Sequence, residues 1–298
     1  MTIAITGGSG FIGTGIAQKL LALGDTVIVI DRVSPRFTHE HLFYIQCDLT
    51  QSTLPFNVLE QVDAVVNLVG APINKKWTLA HKKEIKDSRL SATRNLVESM
   101  RASTSRPTVL VNASASGFYG ERGQDELTEH DTKGEGFLAD VVALWEQEAL
   151  RATEFGTRVV CIRTAPVVGH GGMLTELLKT RKFGFLLALT KKEFWQPWIH
   201  IDDITNCYLF AIQTQTLQGP VNAVAPEEVI HRVFMETLGK AVHRKVLGSI
   251  PRPLAKALFG ELLGEITKSQ RMSSKLLIDK GFVFQYPTLL DALKEAAQ

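Results

Sequence analysis

The stretch TIAITGGSGFIGTGIAQKL, Thr2 to Leu20, runs a β-branched segment into a glycine-rich turn and straight on into a helical pattern. Gly7 permits a tight turn, Gly10 lets the backbone approach a pyrophosphate, and Gly13 lets the helix pack closely on the strand. A pyrophosphate would sit at the helix N-terminus, where unpaired N–H groups and the helix dipole favour an anion. The helix repeats Ile12, Ile16, Leu20 and Leu23 on one face and closes at Gly24, which suits a left-handed cap. Asp31 closes the next strand pattern, where a dinucleotide fold keeps an acid for the adenosine ribose. With these flanks, dinucleotide binding is favoured over a merely structural glycine turn.

Further runs of the same kind follow. TIAIT, TVIVI, LFYIQ, AVVNLV, TVLVNAS and TRVVCIRT are apolar on both faces, as strands of a parallel sheet covered on both sides must be. The segments between them are then crossover helices, and the fold class is α/β, a doubly wound parallel sheet of Rossmann type. After about residue 165 the alternation breaks at Pro166, Gly169, Gly171, Gly172, Gly184 and Pro197. The pattern predicts a dinucleotide-binding domain over residues 1–225, with an excursion at about 166–197 into a smaller lobe. Residues 226–298 form a mainly helical C-terminal lobe on the substrate side, broken at SIPRP.

Composition narrows the function classes. The 298 residues are 45% hydrophobic and 21% charged, which leaves ample chain for a core without a metal or disulfide. A net charge of +2 from interspersed charges argues against a nucleic-acid partner. Cys47, Cys161 and Cys207 lie far apart in apolar runs, so buried thiols in a reducing compartment are expected, with no metal site. The strand pattern begins at Thr2 and no apolar stretch approaches membrane-spanning length, so a soluble cytoplasmic protein acting on a small molecule is expected, with no membrane partner.

The TGxxGxxG spacing, the CDLT around Asp48 and Leu49, and NLVGAP at Asn67 to Pro72 resemble the extended short-chain dehydrogenase/reductases. KKWT, SRLSATRNLV, SASGFYG, GFLADVVALWEQEA, CIRTAPVVGHGG and QPWIHIDDI follow in the expected order over nearly the whole chain. Together they resemble a subgroup named after sugar-nucleotide epimerases, which ends in a small C-terminal domain of unknown function. The resemblance implies that Gly7, Gly10, Phe11, Ile12 and Gly13 hold the pyrophosphate and that Asp31 and Arg32 meet the adenosine ribose. It sets Asp48 and Leu49 beside the adenine, Leu68, Val69, Gly70 and Ala71 along the cofactor's middle, and Arg163, Ala165 and Pro166 near the nicotinamide. Leu68 and Val69 read equally well as core. Asp31 accepts from a free ribose hydroxyl but repels a 2′-phosphate, whereas Arg32 offers that phosphate a bidentate partner. The subgroup usually carries an uncharged residue before the Arg, which suits NADP, and Asp31 departs from that pattern. NADP is the expected cofactor, with Arg32 over the phosphate and Asp31 turned away, and Asp31 keeps NAD open.

The wider superfamily works with Asn, Ser or Thr, Tyr and Lys. An ungapped match puts Arg89, Ala115, Phe137 and Val141 at those positions, so the usual phenol and the ammonium that lowers its pKa are both replaced. One reading is a rebuilt site, with Ser114, Tyr119 and Arg89 as candidate catalytic residues and Ser116 beside them. The other is a dinucleotide-dependent sensor that has lost turnover. Each candidate has a plainer alternative: Ser114 and Ser116 read equally well as serving loop backbone, and Tyr119 as a packed aromatic. Arg89, on an apolar helix face between Ile85 and Thr93, requires an acid or a bound anion. His200 is read as structural, with Asp202 and Asp203 as caps of the helix that follows, and Trp145, Trp195 and Trp198 as packing residues.

Overall fold

The structure, a computed structural model, describes residues 1–55 and 57–297. Its strands in chain order are β1 (Thr2–Thr6), β2 (Thr26–Asp31), β3 (Leu42–Gln46), β4 (Ala64–Asn67), β5 (Val109–Ala115), β6 (Glu126–Leu127) and β7 (Arg158–Thr164). There follow β8 (Val167–Val168), β9 (Phe185–Ala188), β10 (Ile199–His200), β11 (Gly219–Ala223), β12 (Lys245–Ser249) and β13 (Arg271–Met272). The helices are α1 (Phe11–Ala22), α2 (Leu79–Ala102), α3 (Phe137–Leu150), α4 (Gly172–Leu177) and α5 (Ile201–Gln213). Beyond them lie α6 (His231–Ala241), α7 (Arg252–Phe259), α8 (Leu262–Ile266), α9 (Lys275–Asp279) and α10 (Leu289–Ala296).

A seven-stranded sheet in the order β11-β7-β5-β4-β1-β2-β3 carries the fold. β1 pairs parallel with both β2 and β4, β2 with β3, and β4 with β5, so the doubly wound parallel sheet expected from the alternating runs is present. The chain order reverses between β1 and β4, and the carboxyl ends of strands at such a switch point are where open α/β sheets bind ligands. Ile3, Ala4, Ile5, Val65 and Val66 are wholly buried, which is why their strands read as unbroken apolar runs. One strand departs from that reading. β3 pairs with β2 on one side and ends the sheet, so Phe43 and Tyr44 remain 53% and 37% exposed.

By contacts the chain divides into two compact units. The first holds Met1–Ala115, Val141–Arg163 and Thr205–Val221; the second holds Ser116–Asp140, Thr164–Ile204 and the residues from Asn222 onward. Residues 116–140 therefore join the C-terminal residues, which the sequence reading did not anticipate: β6 pairs with β13, Glu126 opposite Arg271 and Leu127 opposite Met272. Within the second unit Trp198, Phe234, Met235, Leu289 and Leu293 share a core. The mainly helical character of this C-terminal region agrees with its pattern.

Other expectations are amended locally. Gly24 caps α1 at φ +83 as expected, but Leu23 is 62% exposed, and the buried face is completed instead by Ala17 and Leu21. Asp202 and Asp203 sit inside the first turn of α5, not at its cap. The Asp203 carboxylate accepts the backbone N–H groups of Gln285 and Tyr286 at 2.6 and 3.0 Å, so it fastens a distant loop. Cys161 and Cys207 are buried and Cys47 half-buried, and none of the three is in a disulfide. Among the described residues no helix is long and apolar enough to cross a membrane, and no group of His, Cys, Asp or Glu could hold a metal ion.

Candidate functional site

The glycine turn of the first unit is fixed by backbone contacts. Gly7 adopts φ +71, and a Cβ there would lie 3.0 Å from the carbonyl carbon of Leu68, so the ends of β1 and β4 approach as only glycine allows. A Cβ on Gly13 would come within 2.7 Å of Gly8 Cα and 2.8 Å of two backbone oxygens. Gly10 differs. It is an exposed, extended N-cap at φ −76 and ψ 177, and a Cβ there would meet only the Gly7 oxygen, at 3.3 Å. Having no side chain, it leaves the first-turn N–H groups of Phe11, Ile12 and Gly13 uncapped. A strand end, an open glycine and an uncapped helix N-terminus together fit a pyrophosphate.

Asp31 serves this turn directly. Its Oδ2 accepts the Ser9 N–H at 3.1 Å and its Oδ1 the Arg32 N–H at 2.7 Å, while Ser9 Oγ donates to the Val33 carbonyl at 2.6 Å. The carboxylate is thus committed to backbone. The Arg32 side chain is 70% exposed, with Asp48 Oδ2 4.0 Å from its Nη1. Asp48 Oδ1 accepts the backbone N–H and the hydroxyl of Thr50 at 2.9 and 2.6 Å, and Leu49 is buried. After β4, Leu68 and Val69 are half-buried, Gly70 exposed and Ala71 buried.

A polar network pins the ends of the central strands. Thr6 Oγ1 donates to Asn67 Oδ1 at 2.6 Å, and Asn67 Nδ2 donates to Asn112 Oδ1 at 2.7 Å and Thr93 Oγ1 at 2.8 Å. Trp145 Nε1 donates to the same Thr93 oxygen at 2.9 Å, which makes Trp145 a core residue, as read from the sequence.

Arg89 reaches no acid among the described residues. Its Nη1 donates to the carbonyls of Ala71 and Ile85 at 3.0 and 3.1 Å, and its guanidinium lies over the Trp145 ring, 5.1 Å from the centroid. Nε and Nη2 have no hydrogen-bond partner among the described residues. Gly70 leaves them room, since a Cβ there would sit 2.9 Å from Arg89 Cζ. Burial pushes the guanidinium down to about 10, so it is still charged at neutral pH. Among the described residues, two carbonyls and the Trp145 ring face stand where the sequence called for an acid or a bound anion.

Ser114 and Arg163 converge on Glu146, which the sequence reading passed over. Ser114 Oγ donates to Glu146 Oε1 at 2.6 Å, and Arg163 donates from Nε to Oε1 at 2.9 Å and from Nη2 to Oε2 at 3.0 Å. All three are buried. The sequence signal was a lone acid among the buried positions Val142, Trp145 and Ala149 of α3, tolerable only beside a cation. Val141, where the superfamily lysine would stand, is 2% exposed, and Phe137 opens α3.

The second unit holds the other candidates. Tyr119 is wholly buried, with its hydroxyl 2.6 Å from Asn222 Oδ1 and 3.0 Å from the Thr128 carbonyl, which fits the packed-aromatic alternative. Ser116 is 9% exposed and its carbonyl accepts from Gln270 Nε2. Ala165 donates its N–H to the Ala223 carbonyl at 3.0 Å, and the Pro166 carbonyl accepts from Ile199 at 3.2 Å. His200 is wholly buried with Nε2 2.7 Å from Glu295 Oε2, consistent with the structural reading.

Comparison with known proteins gives these features a family. The NAD dependent epimerase/dehydratase family matches residues 3–224, and a domain of unknown function, DUF1731, matches residues 250–296. The epimerase family protein YfhF of Bacillus subtilis is 31% identical, over 99% of this chain and 97% of its own length. An Arabidopsis thaliana protein, the chloroplastic homolog of epimerase family protein SDR39U1, is 32% identical over 100% of this chain and 87% of its own. The crystal structure of human SDR39U1 (isoform 2) with NADPH superposes with a TM-score of 0.88 at 28% identity, covering 100% of this chain and 99% of that one. By the extent of these matches, the chain belongs to the NAD-dependent epimerase/dehydratase family.

Proposed function

We propose that this chain binds NADP and acts as an oxidoreductase or epimerase on a small molecule, with a rebuilt proton-handling site. The observation that carries the proposal is the uncapped N-terminus of α1 beside open Gly10, at the point where the sheet reverses its strand order. Asp31 spends both carboxylate oxygens on backbone N–H groups, so the exposed Arg32 is the group left to meet a 2′-phosphate. The NADPH in the human relative's structure supports the same choice. Asp31 could still turn to a free ribose hydroxyl, which keeps NAD as the weaker cofactor.

Gly7, Phe11, Ile12 and Gly13 would hold the pyrophosphate through backbone, with Leu68, Val69, Gly70 and Ala71 along the cofactor's middle and Asp48 and Leu49 at the adenine. A bound nicotinamide supplies the hydride or accepts it. The free Nε and Nη2 donors of Arg89 would hold an anionic oxygen, and Nη1, tied to two carbonyls, keeps the guanidinium in place. Ser114 would act through Glu146 and Arg163, which keep its hydroxyl hydrogen pointed inward. Tyr119 would have to leave Asn222 to act as an acid, and that favours Arg89 over Tyr119 as the residue in contact with ligand.

These engaged hydroxyls also favour a second reading, a dinucleotide-dependent sensor without turnover. A calorimetric titration with NADPH and NADH, followed by a metabolite screen at the absorbance of reduced nicotinamide, separates the two. NADPH binding with turnover of one metabolite supports the enzyme, and tight binding with no absorbance change across the screen supports the sensor. Failure to bind either dinucleotide removes both.

A further inference from the structure

The second unit contains a buried pair that none of the foregoing uses. His231 opens α6 at 4% exposure, and Gln196, before β10, is 6% exposed. His231 Nδ1 lies 2.6 Å from Gln196 Oε1; because that oxygen only accepts, Nδ1 carries the proton. Nε2 is then a bare lone pair, buried and without a partner among the described residues. The opposite carboxamide orientation would leave a buried N–H donor on Nε2, the rarer and costlier defect. Phe194 stacks on the ring with centroids 4.8 Å apart, and burial pushes the imidazole down to about 4, so it stays neutral at neutral pH.

Turning its oxygen to His231 leaves Gln196 Nε2 with two donors and no partner among the described residues. Gln196 lines a recess of about 10 Å³, which admits one water-sized group. Gln270 lines the same recess in the complementary sense. Its Nε2 donates to the carbonyls of Ser116 and Gly120 at 3.0 and 3.1 Å, which fixes the amide and leaves Oε1 as an open acceptor. The charges around the recess are Glu227, Glu228 and Arg271, with Arg271 Nε bound to Glu228 at 2.6 Å, so nothing there favours an anion. The recess shares Glu228 and Met272 with a neighbouring bowl of about 300 Å³, where Ser273 and Ser274 are also in the wall. That volume is at the lower end of those that hold small molecules.

We propose that the recess binds one uncharged hydroxyl or amide group of a small molecule seated in the bowl. Gln196 donates to that group, Gln270 accepts from it, and His231 is the positioning residue that keeps Gln196 turned. All of these residues lie in the second unit, so the proposal stands apart from the dinucleotide reading.

The test is a nitrogen-15 NMR titration of the full chain with acetamide and N-acetylglucosamine as neutral probes and acetate as the charged control. The neutral probes are expected to shift the Gln196 side-chain amide and the His231 ring nitrogens saturably, with acetate at least about tenfold weaker. Gln196→Leu is expected to weaken the neutral probes about fivefold or more, the scale of one lost hydrogen bond. His231→Phe is expected to do the same while leaving Gln196 folded, as its backbone N–H signal reports; if His231→Phe does not fold, Gln196→Leu decides alone. The proposal is overturned if no neutral probe moves either signal, which means that the recess holds only water, if acetate binds as well, or if Gln196→Leu binds like the native chain.

Discussion

The glycine turn of the first unit and the Gln196 recess of the second both present hydrogen-bonding groups without partners, yet they differ in kind. At the turn the open groups are backbone N–H donors at a helix N-terminus, and in the same unit Arg89 stands without an acid among the described residues, so these groups favour negative charge. In the recess the open groups are a carboxamide N–H and a carboxamide oxygen. Fields from helix ends and guanidinium groups select by charge; fixed amides select by the pattern of donors and acceptors. If both proposals hold, one chain divides recognition between a region suited to an anionic cofactor and a region suited to a neutral group.

The first unit is most sensitive at its buried charges. Glu146→Ala leaves Arg163 buried beside Ser114 without its acid, and a loss of about 3–5 kcal/mol is expected from breaking such a pair. Urea unfolding measures it, and a loss near zero would mean that the pair contributes nothing to the strand ends it joins. Gly13→Val drives a side chain into Gly8 and two backbone oxygens, with an expected loss of about 3 kcal/mol by the same measurement. Arg32→Ala probes the choice of cofactor without touching the fold, since the side chain is exposed. It is expected to weaken NADPH by about 1–3 kcal/mol more than NADH, read by calorimetry, since one charge-assisted contact to phosphate is removed. Equal weakening of both would shift the choice of cofactor to Asp31.

What could be read from sequence was local. The strand, turn and helix of Thr2–Leu20 and the cap at Gly24 follow from neighbours within a few residues, and the structure has them where the pattern puts them. The pairing of β6 with β13 was not legible, because Glu126 and Arg271 meet only through long-range register. Exposure of Phe43 and Tyr44 depends on which strand ends the sheet, and strand order is absent from any single strand's composition. For Arg89, burial predicted the need for a counter-charge but not that two carbonyls and a tryptophan face would stand in its place. His231 belongs to no spacing motif and Gln196 only opens the QPWIHIDDI string, so neither was given a role, and only the folded chain shows one turning the other.

The central proposal for the first unit is that the N-terminus of α1 holds a dinucleotide through bare backbone. Gly10→Val tests it most directly, since Gly10 has an ordinary extended conformation and a new Cβ would meet only the Gly7 oxygen, while the larger side chain would stand where a phosphate belongs. Calorimetric titration of NADPH into the native chain and the variant, with unfolding midpoints measured on both, is the experiment. The account predicts saturable heat from the native chain and none from a variant that unfolds at nearly the native midpoint; a well-folded variant that binds NADPH as tightly as the native chain would contradict it.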